Sequence, residues 1–328
     1  MACCKVKINL IQKISMKKVL LTVSLAITSF FAVNAQQDIQ LTQHIFDRLS
    51  FNPGYTGIEG KICATGIFRQ QWAGFTGSPQ TILFNAHGPV NLLKGGVGLS
   101  VFHDKIGFFN DTYARLSYAY HLNIPSINGK LGIGVSGGLV SKALNPTWIA
   151  IDPVSQDNVI PDAGVAQSTF DLAFGLYYKG PDFYVGLSST RLTQSELANM
   201  DYNNKRHFHL MAGWEKMINT DWTINPYTLI KSDFAASQFD IGVRAIYGNM
   251  AWLGLNYRYK DAIMPMLGYQ MPLNARNMPG MIRIGYSYDI TTSQIRKYSN
   301  GSHEIMLNYC FNIQKPPTRT VGKTVRFL

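Results

Sequence analysis

Runs of roughly ten residues in which oily and polar side chains alternate recur along most of this chain. Successive side chains of a strand point to opposite faces, so each run has one apolar face and one mixed face. Near the C-terminus Ile305, Leu307, Tyr309 and Phe311 share one face, and Glu304, Met306, Asn308 and Cys310 the other. Residues 170–179 set Phe170, Leu172, Phe174, Leu176 and Tyr178 against Asp171, Ala173, Gly175, Tyr177 and Lys179. Residues 239–247, 251–260 and 281–290 repeat the arrangement, with aromatics near the ends of the oily face and Gly, Ser and charges opposite. A strand of a soluble sandwich alternates in the same way, so the weight lies in the repetition. Small and charged residues on the second face fit a polar lumen better than a dry core.

Counting such runs predicts a transmembrane antiparallel β-barrel of about fourteen strands. They fall at 60–70, 78–88, 95–104, 111–121, 130–143, 169–179, 183–189, 206–216, 222–233, 238–247, 250–260, 262–271, 281–290 and 302–311. Pro265 argues against the twelfth, because proline cannot donate to a ladder. An even number of strands places both termini on one side, expected to be the periplasmic one. Long links, 144–168, 190–205 and 291–301, follow odd-numbered strands, whereas even-numbered ones end mostly in short turns such as Gly180-Pro181-Asp182 and Gly248-Asn249. Outer-membrane barrels show this asymmetry, with short periplasmic turns and longer outer loops.

Residues 1–35 read as an export leader. Met16-Lys17-Lys18 supplies the positive start, 19–33 the apolar run, and Val33-Asn34-Ala35 a small-residue cleavage site. A plug segment is expected at 36–59, the barrel at 60–311 and a basic periplasmic tail at 312–328. The net charge of +11 misleads, because the leader holds five lysines and the tail Lys315, Arg319, Lys323 and Arg326, neither with an acid. The body between them carries 21 basic and 19 acidic residues, which excludes the basic surface of a nucleic-acid binder. Cys63 and Cys310 are expected near the periplasmic ends of the first and last strands, facing away from the oily side. A disulfide would need their Cα atoms within about 7 Å; two small buried thiols are the plainer reading.

No spacing points to catalysis, a cofactor or a metal. His207 and His209 share a strand face but lack a third ligand nearby, so they read as strand-lining residues. Asp152, Asp157 and Asp162 are spaced too widely for a calcium loop. Ser195-Glu196 reads as the cap of a short helix rather than a nucleophile. Gly132, Gly134, Gly137 and Gly138 read as clearance in the lumen rather than a nucleotide fingerprint.

Gln36-Gln37-Asp38-Ile39-Gln40, Phe51-Asn52-Pro53-Gly54-Tyr55-Thr56-Gly57, Arg69-Gln70-Gln71-Trp72-Ala73-Gly74-Phe75 and Ser78-Pro79 resemble the N-terminal motifs of the PorP/SprF family. Gly95-Gly96-Val97-Gly98-Leu99-Ser100, Asp104-Lys105-Ile106-Gly107 and His303-Glu304 are similar to it as well. Gly54 stands where the family usually has Ala, and Thr42 where it has Ser. The resemblance implies an outer-membrane component of the type IX secretion system, which exports proteins bearing C-terminal sorting domains, gliding adhesins among them. It implies as partners other secretion-system proteins, the exported proteins and the outer-membrane bilayer. Asn52, Pro53, Tyr55, Gly57, Arg69, Gln71, Trp72 and Gly74 are the motif positions expected to serve structure or partners. Residues 36–57 and 70–78 are expected to plug or brace the barrel, with Tyr55 and Trp72 as rigid anchors. A passive solute channel of the same architecture and a soluble β-sandwich are the competing readings.

Overall fold

The computed structural model describes residues 39–145, 165–197, 202–275 and 278–312. Fourteen long strands run in chain order: β1 (Ile62–Gln70), β2 (Gln80–Val90), β3 (Gly95–Ile106), β4 (Phe109–Ile124), β5 (Gly129–Leu144), β6 (Val165–Lys179) and β7 (Phe183–Thr190). The second half follows as β8 (His207–Trp214), β9 (Trp222–Ser232), β10 (Ser237–Tyr247), β11 (Ala251–Arg258), β12 (Ala262–Ala275), β13 (Met278–Thr291) and β14 (Ser302–Phe311). Every strand pairs antiparallel with its chain neighbours, and β8 pairs with β9 across the middle of the order. The first strand pairs with the last, from Ile62 opposite Phe311 to Gln70 opposite His303. The sheet therefore closes into a 14-stranded barrel with no free edge. Closure is what lipid demands, since an unpaired N–H or C=O in hydrocarbon costs several kcal/mol.

The alternation decides which side faces out. Phe170, Leu172 and Phe174, Ile305 and Leu307, and Ile284 and Tyr286 are exposed on the outer wall, while Asp171, Glu304, Asn308, Ser287 and Asp289 are buried inside. So much exposed apolar surface is stable only against lipid. Aromatics rim the band: Phe183, Trp214, Trp222 and Tyr247 near one end, Phe109, Phe239 and Tyr257 near the other. No helix among the described residues is long and apolar enough to cross a membrane.

The lower mouth is where β1 begins and β14 ends; the links after odd-numbered strands lie at the upper mouth. Turns 91–94, 125–128 and 180–182 at the lower mouth are short, whereas 71–79, 191–206 and 292–301 above are longer.

Four details differ from the sequence-based expectations. The twelfth strand is full length despite Pro265, which pairs with Leu255 of β11. On its other side the ladder with β13 skips Met264 and Pro265, so the missing N–H leaves no ladder acceptor unmet. The short helix expected around Ser195-Glu196 is instead a two-residue strand, Glu196–Leu197, paired with Tyr202–Asn203. That link is tied down by bonds from Thr193 and Ser195 hydroxyls to the Phe170 carbonyl rather than by helical bonds. Gly137 faces outward against Phe170 and gives no clearance in the lumen. Cys63 and Cys310 are joined by a disulfide rather than left as thiols, because the β1–β14 register sets them directly opposite, Cα atoms 4.1 Å apart. The leader, Asp152, Asp157 and Asp162, and the tail from 313 onward lie outside the described residues.

Candidate functional site: the plugged lumen

The residues before β1 thread the barrel from end to end. Ile39 is at the upper mouth, where Lys231 Nζ donates to its carbonyl at 2.9 Å. The chain descends past Ile45 and Arg48, turns at a short 3-10 segment, Pro53–Tyr55, and reaches the lower mouth at Gly57–Gly60. An even strand count brings Ile62 and Phe311 to one mouth; the first described residue sits at the other.

Two buried charge clusters hold the upper half of this plug. Arg69 of β1, only 1% exposed, donates to Asp289 of β13 at 2.6 Å and to Glu304 of β14 at 3.1 Å. Glu304 also accepts the backbone N–H groups of Thr42 (2.8 Å) and Gln43 (2.7 Å), and the Thr42 hydroxyl donates to Asp289 at 2.8 Å. The second cluster pairs Arg258 of β11 with Asp240 of β10 through Nε and Nη2, at 3.1 and 2.9 Å. Arg258 also donates to the Gln40 side chain at 3.1 Å and to the Leu41 carbonyl at 3.2 Å, and Asn256 donates to the Thr42 carbonyl at 2.8 Å. Wall and plug thus satisfy each other's charges and peptide groups, which burial requires.

Apolar side chains pack around and below these clusters. Leu41, Ile45, Leu49, Phe51, Tyr55 and Ile58 of the plug meet Ile67, Leu83, Phe102, Tyr113, Met211, Trp252 and Met306 of the wall. The interior is therefore mixed rather than uniformly polar, since the plug brings its own oily side chains and needs partners for them.

The Asn52-Pro53-Gly54-Tyr55 turn seats in a glycine notch. Asn52 caps it by accepting from the Gly54 N–H at 2.8 Å, and donates to the Leu176 carbonyl at 3.0 Å. A Cβ on Gly134 would lie 2.3 Å from the Pro53 carbonyl carbon, so only bare backbone lets the turn reach the wall. Gly57 adopts φ +68°, and its N–H donates to His87 Nδ1 at 3.2 Å.

Burial changes the acid–base character of the plug. It lifts the Asp47 carboxyl to about 6, against the pull of bonds donated by Ser50 and Asn85. It lowers His44 to about 4. Burial alone would raise Glu59, but Lys179 and Arg48 outweigh it and bring its carboxyl below the usual range.

The motif positions divide by depth. Asn52, Pro53, Tyr55, Gly57, Arg69 and Gln71 are buried, so they act from within the barrel. Trp72 is half-buried and Gly74 exposed, on the link at the upper rim. There Ala73 exchanges backbone bonds with Gly301 and Asn300 (2.7 and 2.6 Å), while the Trp72 N–H donates to the Ser302 hydroxyl at 3.0 Å. Residues 71–79 accordingly brace the upper rim against the 292–301 link, while Tyr55 packs inside the lumen against Tyr177. His209 packs on Phe51, and no three His, Cys, Asp or Glu side chains among the described residues are grouped to hold a metal.

The sequence places Asp240, Arg258, Asp289 and Glu304 on the non-lipid face but does not link them to the plug. The available signal is their recurrence on neighbouring strands facing the same interior.

A family model described as type IX secretion system membrane protein PorP/SprF matches residues 33–309. The chain belongs to that family. Gln40 to Thr42, Asn52 to Gly57, Arg69 and Glu304, in the stretches that resemble the family's motifs, are among the residues that seat the plug. None of the curated proteins matches the chain. Among solved structures it is similar to the Ralstonia pickettii toluene transporter TbuX, at 10% identity and TM-score 0.48, over 81% of this chain and 93% of that one. The Pseudomonas putida toluene transporter TodX aligns at 9% identity and TM-score 0.46, over 80% and 93% of the two chains. The Acinetobacter baumannii outer membrane protein Omp33 aligns at 9% and 0.41, over 77% and 99%.

Proposed function

We propose that this PorP/SprF barrel is a non-enzymatic support for export or surface attachment of proteins with C-terminal sorting domains, acting by protein–protein contact. The lower mouth then faces the periplasm, and the longer links of the upper mouth face outward, as in other outer-membrane barrels. The observation that supports this reading over a solute channel is the plug, a segment of the chain's own sequence buried in the lumen by two ion clusters. A barrel filled in this way offers its rims and loops to partners instead of a path to solutes. Exposed Gly74 and half-exposed Trp72 are the motif residues placed to meet a partner at the upper rim. Affinity purification from outer membranes, with identification of co-purifying chains, should recover sorting-domain proteins or secretion components. Planar-bilayer recording of the wild-type barrel should show no steady current. A steady open-pore current without such partners would favour the channel.

A further inference from the structure

Between the underside of the plug and the wall, at the lower mouth, lies a cavity of about 280 Å³. Its lining carries five cations, Arg48, Lys61, Lys179, Arg244 and Arg283, against two carboxylates, Glu59 and Glu215, an excess of three positive charges. Glu59 is occupied, holding Lys179 at 2.8 Å and Arg48 at 3.7 Å. Arg244, 7% exposed, has its carboxylate only at 3.9 Å, on a Glu215 whose side chain is 60% exposed. Its buried Nε has no hydrogen-bond partner among the described residues. Among the described residues Arg283 hydrogen-bonds amide oxygens, Gln270 at 3.3 Å and Asn308 at 2.8 Å.

Buried guanidinium groups are ordinarily matched by carboxylates, and their fork of donors suits a planar or tetrahedral oxyanion. We infer that this cavity is a binding site for an oxyanion, a carboxylate or phosphate group that bridges Arg244 and Arg283. Inside the barrel the excess of cations raises the positive potential of the cavity. Lys61 and Glu215 are exposed, so the cavity opens to water at the lower mouth. Its lining side chains stand inside a closed wall, so a headgroup still anchored in the bilayer has no route to it. The anion arrives from the aqueous side, either free or carried on a polypeptide. This inference does not rest on the export reading, because it concerns a charge imbalance within one chain.

The test is calorimetric titration of the detergent-purified full chain at constant ionic strength, with inorganic phosphate in one arm and a tri-aspartate peptide in the other. Saturable one-to-one binding of at least one probe is expected, weakened tenfold or more by Arg244→Gln and by Arg283→Gln. Arg283→Lys should restore part of the affinity, and Lys94→Gln, at a turn away from the cavity, should change nothing. Phosphate binding alone identifies a small free anion; tighter tri-aspartate binding identifies carboxylates on a chain. Heat-modifiable migration confirms that each variant is folded. Absence of saturable binding of either probe to the wild type overturns the inference, as does wild-type affinity in both folded arginine variants.

Discussion

Replacing Glu304 with Ala should release the plug while leaving the wall standing. Glu304 accepts from the Thr42 and Gln43 amides and from Arg69, all buried. Its removal leaves Arg69 with Asp289 and the Thr42 hydroxyl, and two peptide N–H groups with no acceptor. Breaking one partner out of a buried ion pair costs about 3–5 kcal/mol. Orphaned amides add about 1–3 kcal/mol each when they stay dry; water entering the vacated space offsets much of that, so the lower range is the working figure. At about 1.4 kcal/mol per tenfold, the undocked plug becomes roughly a hundred to three thousand times more populated. The β14 backbone remains laddered to β1 and β13, which does not depend on this side chain. Trypsin cleavage after Arg48 reads the undocked population when opening and closing outpace cutting. Cleavage should accelerate at least hundredfold in Glu304→Ala and less in Glu304→Gln, which keeps one acceptor, with heat-modifiable migration unchanged in both. Folded Glu304→Ala that is cut no faster than wild type would refute the reasoning.

Other perturbations separate the remaining contributions. Reducing the Cys63–Cys310 bond, or Cys63→Ser, frees a 247-residue loop that by chain entropy is worth up to about 5 kcal/mol, and should lower the thermal midpoint on heat-modifiability gels. Gly134→Val should cost about 1–3 kcal/mol or more by pushing Pro53 off the wall, whereas Gly66→Ala, with nothing within 4 Å, should be neutral; thermal midpoints in detergent compare them. Asp47, raised to about 6, contributes stability that is full below its ordinary value of 3.8 and is lost as pH rises through 6. His44, lowered to about 4, contributes stability present above 6.5 and lost as pH falls through 4. The two oppose each other between pH 4 and 6.5, so Asp47→Asn should make the barrel less stable on acidification and His44→Gln more stable, read from thermal midpoints across that range.

The wall was legible because its physics is local. Ile305, Leu307 and Glu304 declare their faces by position alone, and the strand ranges read from period two match those of the barrel within a few residues at most ends. Pro265 misled because its missing donor matters only on one side of a strand, and which side is a property of pairing rather than of sequence. The plug was legible as a segment but not as a path. Arg69 and Glu304 are 235 residues apart in the chain and meet only when the sheet closes. The Asn52 turn and Gly134 recognise each other only once register brings β5 and β6 beneath the plug. Trp72 braces the upper rim, one of the two roles left open for its segment, because a motif shows that residues travel together, not which side of a rim they take.

A plugged barrel requires residues 39–59 to form a fixed part of its interior. Hydrogen exchange on the chain in bilayers tests this at the Thr42 and Gln43 amides, whose acceptor is Glu304. Exchange there as slow as in β14 is the expected result. Exchange as fast as in the exposed 91–94 turn would contradict it.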